Sequence, residues 1–212
     1  MGNNRSLLAV IVIENIEHEC KFDVCGEVFT VVKLENHHKI CKHRTVICPY
    51  NMCMRMMSLT QLLDHLERDC SANNVFTEIE SSSQSFTTIG YVGADEQESY
   101  WSWMPSVFSS GDVKFAIIPV KSENFYFFSI VMFEVKRECS KYGIELIVHE
   151  EGSTSHDSAV SYKFCGKPSS IDEPEADVKY LGLTVSNSGM TEILKTNVGK
   201  EFSLSFNISY NG

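Results

Sequence analysis

Six of the eight cysteines fall between Cys20 and Cys70, interleaved with histidines in a repeating order. Cys20, Cys25, His37 and Cys41 recur as Cys48, Cys53, His65 and Cys70, displaced by 28, 28, 28 and 29 residues. Each unit reads C-x4-C-x11-H and closes with a cysteine three or four intervening residues later. Zinc takes thiolate and imidazole ligands in a tetrahedron, with sulfur at about 2.3 Å and nitrogen at about 2.0 Å. Three sulfurs and one nitrogen fill that tetrahedron and leave no position for water. The chemistry expected is therefore structural metal binding, not catalysis. A disulfide framework would not need histidines in register with the cysteines; a metal site does. Two structural zinc ions are expected, one per unit.

Such ligands must be brought together by a short hairpin and a helix. Two cysteines on a hairpin supply one edge of the tetrahedron. A His and a Cys one helical turn apart supply the other, because side chains at i and i+4 share a helix face. His37 and Cys41 have that spacing; His65 and Cys70 are five apart, so Cys70 is expected where its helix frays. Ser58-Leu59-Thr60-Gln61 has the form of a capping box opening a helix, and Leu59, Leu62, Leu63 and Leu66 form its apolar stripe. In the first unit Val28, Phe29, Val31 and Val32 read as the strand part of the hairpin. His18, His38 and His43 are spare; His38 could replace His37, but the 28-residue register favours His37. Units of about 25 residues cannot hold a core alone, so the metal is expected to supply much of their folding energy.

The chain's 212 residues and 43% apolar content support a packed core. Its formal charge is −10, unevenly placed. From His18 to Ala72 seven basic residues balance seven acidic ones, whereas from Asn73 to Gly212 ten basic face nineteen acidic. An acidic second half, and a second helix whose only Lys/Arg is Arg68, argue against nucleic-acid binding. Unpaired thiols with histidines point to a reducing compartment, cytoplasmic with the nucleus also open. The apolar run Leu7–Ile13 lacks a cleavage site and is too short to span a bilayer. Met1–Ser6 fits the loose N-myristoylation pattern, but one acyl chain anchors only weakly, so no stable membrane insertion is expected.

After a polar stretch, Ser81–Ser85, read as a loop or linker, the chain turns β-rich. Strands are expected at Phe86–Val92, Val113–Val120, Phe125–Val135, Tyr142–Glu150, Ala159–Phe164, Val178–Val185 and Phe202–Tyr210, with a hairpin turn at Lys121–Asn124 and a short helix at Met190–Asn197. This spacing suggests an antiparallel β-sandwich. The fold class expected is thus an α+β zinc-finger pair followed by an all-β antiparallel sandwich: a lead-in over 1–17, fingers over 18–72, sandwich over 73–212. No catalytic constellation is evident. Cys139 and Cys165 have His149 and His156 nearby in sequence, but a buried free cysteine in a β core is far commoner than a nucleophile. Tyr100-Trp101-Ser102-Trp103-Met104 stands out. On a strand, Trp101 and Trp103 share a face, either as core or as an aromatic wall for a bound peptide.

The paired fingers, the six-residue gap between Cys41 and Cys48 and the β-rich second half resemble the seven-in-absentia family of ubiquitin ligases. The likeness runs from Arg5–Ala9 and Glu17–Phe22 through Phe202–Ser209. The x4 spacing of the paired cysteines is shorter than that family's, and Cys70 stands where it usually has histidine. The resemblance implies a TRAF-like substrate-binding domain, a homodimer, and protein targets whose degron peptides add as a strand beside Trp101, Trp103 and Ser205. It also implies a RING finger, which is not found ahead of Arg5, so the expectation divides. The chain is either the substrate-recognition portion of such a ligase, serving ubiquitin-dependent proteasomal degradation, or a RING-less adaptor.

Overall fold

A computed structural model describes residues 16–50, 52–70, 72–74, 83–91, 100–102, 105–150, 160–173, 182–194 and 201–211. The sequence repeat is a structural repeat. β1 (Glu17–Glu19) pairs antiparallel with β2 (Val28–Thr30), and α1 (Val31–Ile40) follows without a break. β3 (Thr45–Ile47), β4 (Met56–Ser58) and α2 (Leu59–Arg68) repeat this 28 residues later. Val31 and Val32, expected in the strand, instead open α1. The ladder ends at Thr30 because its partner, Glu17, is where β1 begins.

The capping box at Ser58 also fails to form. Ser58 occupies the N-cap position without a side-chain cap hydrogen bond, and its hydroxyl lies 2.9 Å from that of Thr60. The first backbone donor of α2, the Leu59 N–H, goes to the Arg44 carbonyl at 2.9 Å. The first donor of the helix is thus satisfied from the inter-finger connection rather than by a side-chain cap.

The rest of the described chain is mostly β: β5 (Asn73–Asn74), β6 (Ser83–Tyr91), β7 (Tyr100–Ser102), β8 (Ser106–Ser110), β9 (Val113–Ser122), β10 (Phe125–Met132), β11 (Tyr142–Glu150), β12 (Ser161–Gly166), β13 (Ser169–Ser170), β14 (Gly182–Ser186) and β15 (Glu201–Tyr210), with short helices α3 (Lys136–Cys139) and α4 (Asn187–Leu194). Among the described residues they form two sheets. One runs β13-β10-β9-β8-β5, with β14 also on β10 and β7 also on β9; the other runs β12-β11-β15-β6. The long strands pair antiparallel; the two-residue strands β5 and β13 pair parallel. Ser83–Ser85, expected in a linker, begin β6, because Ser209, Ile208 and Asn207 of β15 offer them ladder partners. Residues 81–82 and the N-terminal lead-in through residue 15 lie outside the described residues.

Alternation decides what each sheet buries. In β15, Phe202, Leu204, Phe206 and Ile208 point to one face, and in β11 Ile144, Leu146 and Val148 do the same. They meet Phe115 and Ile117 of β9 and Tyr126, Phe128 and Ile130 of β10 in one apolar cluster shared by both sheets. β14 comes so close to β10 that a Cβ on Gly182 would lie 2.2 Å from the Phe128 carbonyl oxygen. Only glycine fits there.

The opposite face of β9 and β10 carries Ala116, Ile118, Val120 and Val131, and these are buried too. Their cover is the second finger: Val46, Cys48, Leu62, Leu66 and Cys70 belong to the same cluster. At the edge of this contact Arg44 grips Asp172 with two bonds, Nε to Oδ1 at 2.9 Å and Nη2 to Oδ2 at 3.1 Å. No described helix is long and apolar enough to cross a membrane.

Candidate metal centres

Each hairpin brings its cysteines into place through the same backbone bonds. The Cys20 N–H donates to the Glu27 carbonyl at 2.9 Å, and Cys48 to Arg55 at 2.8 Å. Cys25 donates to Phe22 at 3.2 Å, and Cys53 to Tyr50 at 2.9 Å. The chain turns sharply just after the second cysteine. Gly26 has φ +64° there and Met54, its counterpart 28 residues on, φ +54°. Glycine meets that demand freely; a methionine in the left-handed region carries a cost of about 1 kcal/mol.

The eight residues expected as ligands gather in two groups: Cys20, Cys25, His37 and Cys41, and Cys48, Cys53, His65 and Cys70. Within each group the ligand atoms all lie within 4.8 Å of one another. In the first, Cys20 Sγ is 3.9 Å and Cys25 Sγ 3.6 Å from Cys41 Sγ, and Cys25 Sγ is 3.3 Å from His37 Nε2. In the second, Cys48 Sγ is 3.9 Å from Cys70 Sγ, and His65 Nε2 lies 3.1 Å from Cys53 Sγ and 3.3 Å from Cys70 Sγ. A tetrahedron of zinc–sulfur bonds has sulfur–sulfur edges of about 3.8 Å and sulfur–nitrogen edges of about 3.5 Å. Both groups therefore fit, and each could hold one metal ion. His38 stands apart, its Nε2 accepting from the Lys21 N–H at 3.4 Å.

Each histidine presents Nε2 to the cluster and Nδ1 to a carboxylate. His37 Nδ1 is 3.3 Å from Glu27 Oε2, and His65 Nδ1 is 2.9 Å from Asp69 Oδ2. Asp69 is itself held by Arg55 Nη1 at 3.0 Å. Such partners fix the tautomer and orientation of a ligating imidazole. Burial pushes the Cys41 and Cys70 thiols up to about 11, and Cys48 in the same direction. A bound cation must reverse this, so loading either cluster releases protons.

No motif or spacing points to Arg44. Besides Asp172, its guanidinium donates through Nη1 to the carbonyl of the ligand residue Cys41 at 3.2 Å. One side chain thus touches the last residue of the first finger and the β body at once. Asp69 had a signal that sequence reading missed: it stands four residues after His65, on the same helix face.

Of the positions expected to bind peptide, two are described, and they lie on different sheets. Trp101 lies on β7, in register with Lys121 of β9; Trp103 lies outside the described residues. Ser205 is on the other sheet, on the face turned away from the shared core. Its hydroxyl donates to His149 Nε2 at 2.7 Å, since His149 Nδ1 donates to the Glu150 carbonyl at 3.0 Å. Of the two remaining cysteines, Cys139 is buried with its thiol 3.6 Å from the Glu134 carbonyl, and Cys165 is exposed, 3.7 Å from Glu145 Oε2. Burial pushes Cys139 up to about 12, which keeps it a protonated thiol rather than a nucleophile. His156 lies outside the described residues. The chain matches no protein-family model, and no curated protein is similar to it.

Proposed function

We propose that this chain is a zinc-organised protein-recognition module, the substrate-binding and dimerising portion of a ubiquitin ligase resembling the seven-in-absentia family. Two closed sites of three thiolates and one imidazole favour zinc over harder divalent ions and leave no coordination position for a substrate. The zinc is therefore structural. The two-sheet body is read as a TRAF-like sandwich that takes degron peptides as an added strand beside Trp101 and Trp103, with Ser205, on the other sheet, a separate candidate contact. One observation carries the reading: two metal-ligand clusters repeat at 28 residues with the same hairpin bonds, and a two-sheet body follows them.

Two measurements test it. Elemental analysis of the purified chain should find two zinc ions per chain, with a dimeric native mass. A displayed library of random peptides, panned against the intact chain, should converge on one motif whose binding Trp101→Ala and Trp103→Ala weaken. Zinc without any convergent motif would leave a metal-stabilised fold and remove the peptide-recognition role.

A further inference from the structure

The two fingers share a chain pattern but not a setting. No residue of α1 is buried, and Val24, Val28, Val32 and Ile40 of the first finger are exposed. Among the first cluster's ligands only Cys41 is buried. In the second finger Leu62 and Leu66 are fully buried, and the ligand residues Cys48 and Cys70 are core residues beside Ile118 and Val131 of the sheet. Opening the second cluster therefore uncovers a sheet face; opening the first uncovers little. A metal that binds only the docked form stabilises docking, and docking in turn tightens the metal. The boundary between these regimes is Arg44. Its side chain is held by Asp172 and its carbonyl by the Leu59 N–H, so it stays with the body when the first finger opens.

We propose that the two metal sites differ in kind: the second is a lock on the β body, and the first is a releasable site whose metal can leave while the rest of the molecule stays folded. This rests on the zinc reading of both clusters. A competitor for zinc would then strip the first finger alone, changing the surface ahead of the body without unfolding it. The first finger is the part of the molecule that responds to zinc supply.

The test uses the full chain, first shown to hold two zinc ions. Excess 4-(2-pyridylazo)resorcinol is added as both the zinc acceptor and the chromophore, and zinc release and, in a parallel sample with a colourless chelator, near-ultraviolet circular dichroism are followed. Two phases of one zinc each are expected, separated by about ten-fold or more in rate, with the loss of dichroism confined to the slow one. Cys25→Ser should remove the fast phase and leave the slow one in place. Ile118→Ala, which supplies no ligand but opens a cavity beneath the second finger, should speed the slow phase alone. A single phase, loss of dichroism in the fast phase, or an Ile118→Ala effect absent or equal in both phases would overturn the proposal. Fewer than two zinc ions at the outset would instead overturn the zinc reading, and this inference with it.

Discussion

At the residue scale, the irregularity in the repeat has a physical use. The second unit has one more residue than the first between its histidine and its last cysteine. That stretch ends in Asp69, the C-cap of α2, which receives His65 Nδ1 at 2.9 Å. The first unit lacks this position and draws its carboxylate from the hairpin, Glu27, at the longer distance of 3.3 Å. Asp69→Asn should therefore weaken metal binding at the second cluster by about 10- to 100-fold in a chelator competition. Glu27→Gln should weaken the first cluster less. An Asp69→Asn protein with unchanged affinity would show that the carboxylate does not orient the ligand. The two cysteines outside the repeat also give a clean expectation. Burial raises Cys139 from an ordinary 9.0 to about 12. The sign is that of a group kept neutral by folding: the associated stability is fully present below pH 9.0 and is lost as pH rises through about 12. A thiol reagent at about pH 8 should label the zinc-loaded chain once, at Cys165, and Cys165→Ser should abolish the labelling. A second fast label would place Cys139 outside the core.

At the element scale, the two helices are the sharpest contrast. Both are ten residues long and carry a ligand histidine at the same position, yet α2 buries Leu62, His65 and Leu66 while α1 buries nothing. Leu66→Ala should cost about 2–5 kcal/mol in thermal or denaturant unfolding. Val32→Ala, at 58% exposure on α1, should fall within about 0.5 kcal/mol of wild type. Equal effects would mean that α2 is not part of the core. Much of this contrast is legible in the sequence. The membership of the two Cys/His clusters follows from the spacing alone. The polar–apolar alternation of Phe202–Ser209 marks a strand covered by core on one face, and its serines indeed face away from that core. The run Phe115-Ala116-Ile117-Ile118 in β9 does not alternate, because both of its faces are covered: one by the second sheet, the other by the second finger. Unbroken apolar runs of this kind mark a strand buried on both sides. That sign is present, but it does not say what the cover is. β8, Ser-Val-Phe-Ser-Ser, escapes a sequence reading because three serines mask a strand whose Val107 and Phe108 point to opposite cores. The hairpin tail and the Ser58 cap mislead for another reason. Each depends on a partner distant in sequence, Glu17 for one and Arg44 for the other, and local propensity contains no information about either.

At the scale of the whole molecule, the motif and the packing divide the chain at different places. Cys70, the last ligand, suggests a break near residue 72, yet Ala72 is buried in the cluster that joins α2 to the sheet, and β5 begins at the next residue. The packing divides the chain earlier, in the connection after Cys41, where Arg44 ties the start of the second finger to Asp172. Two truncations separate these possibilities. A chain beginning at Asn73 keeps every described strand of the two body sheets but leaves Val107, Ala116, Ile118, Val120, Val131 and Phe133 without their cover. An open apolar face of that kind drives self-association. This fragment should bind a hydrophobic dye, aggregate at concentrations where the full chain does not, and melt well below it. A chain beginning at Lys42 retains the second finger, Arg44 and the covered face, and should keep one zinc, the melting temperature and the oligomeric state of the parent. The first finger should be dispensable for folding because none of its helix is buried. If the Asn73 fragment instead stays soluble and melts with the full chain, the finger–sheet contact contributes little. The body would then be a domain that merely carries the second finger on its surface.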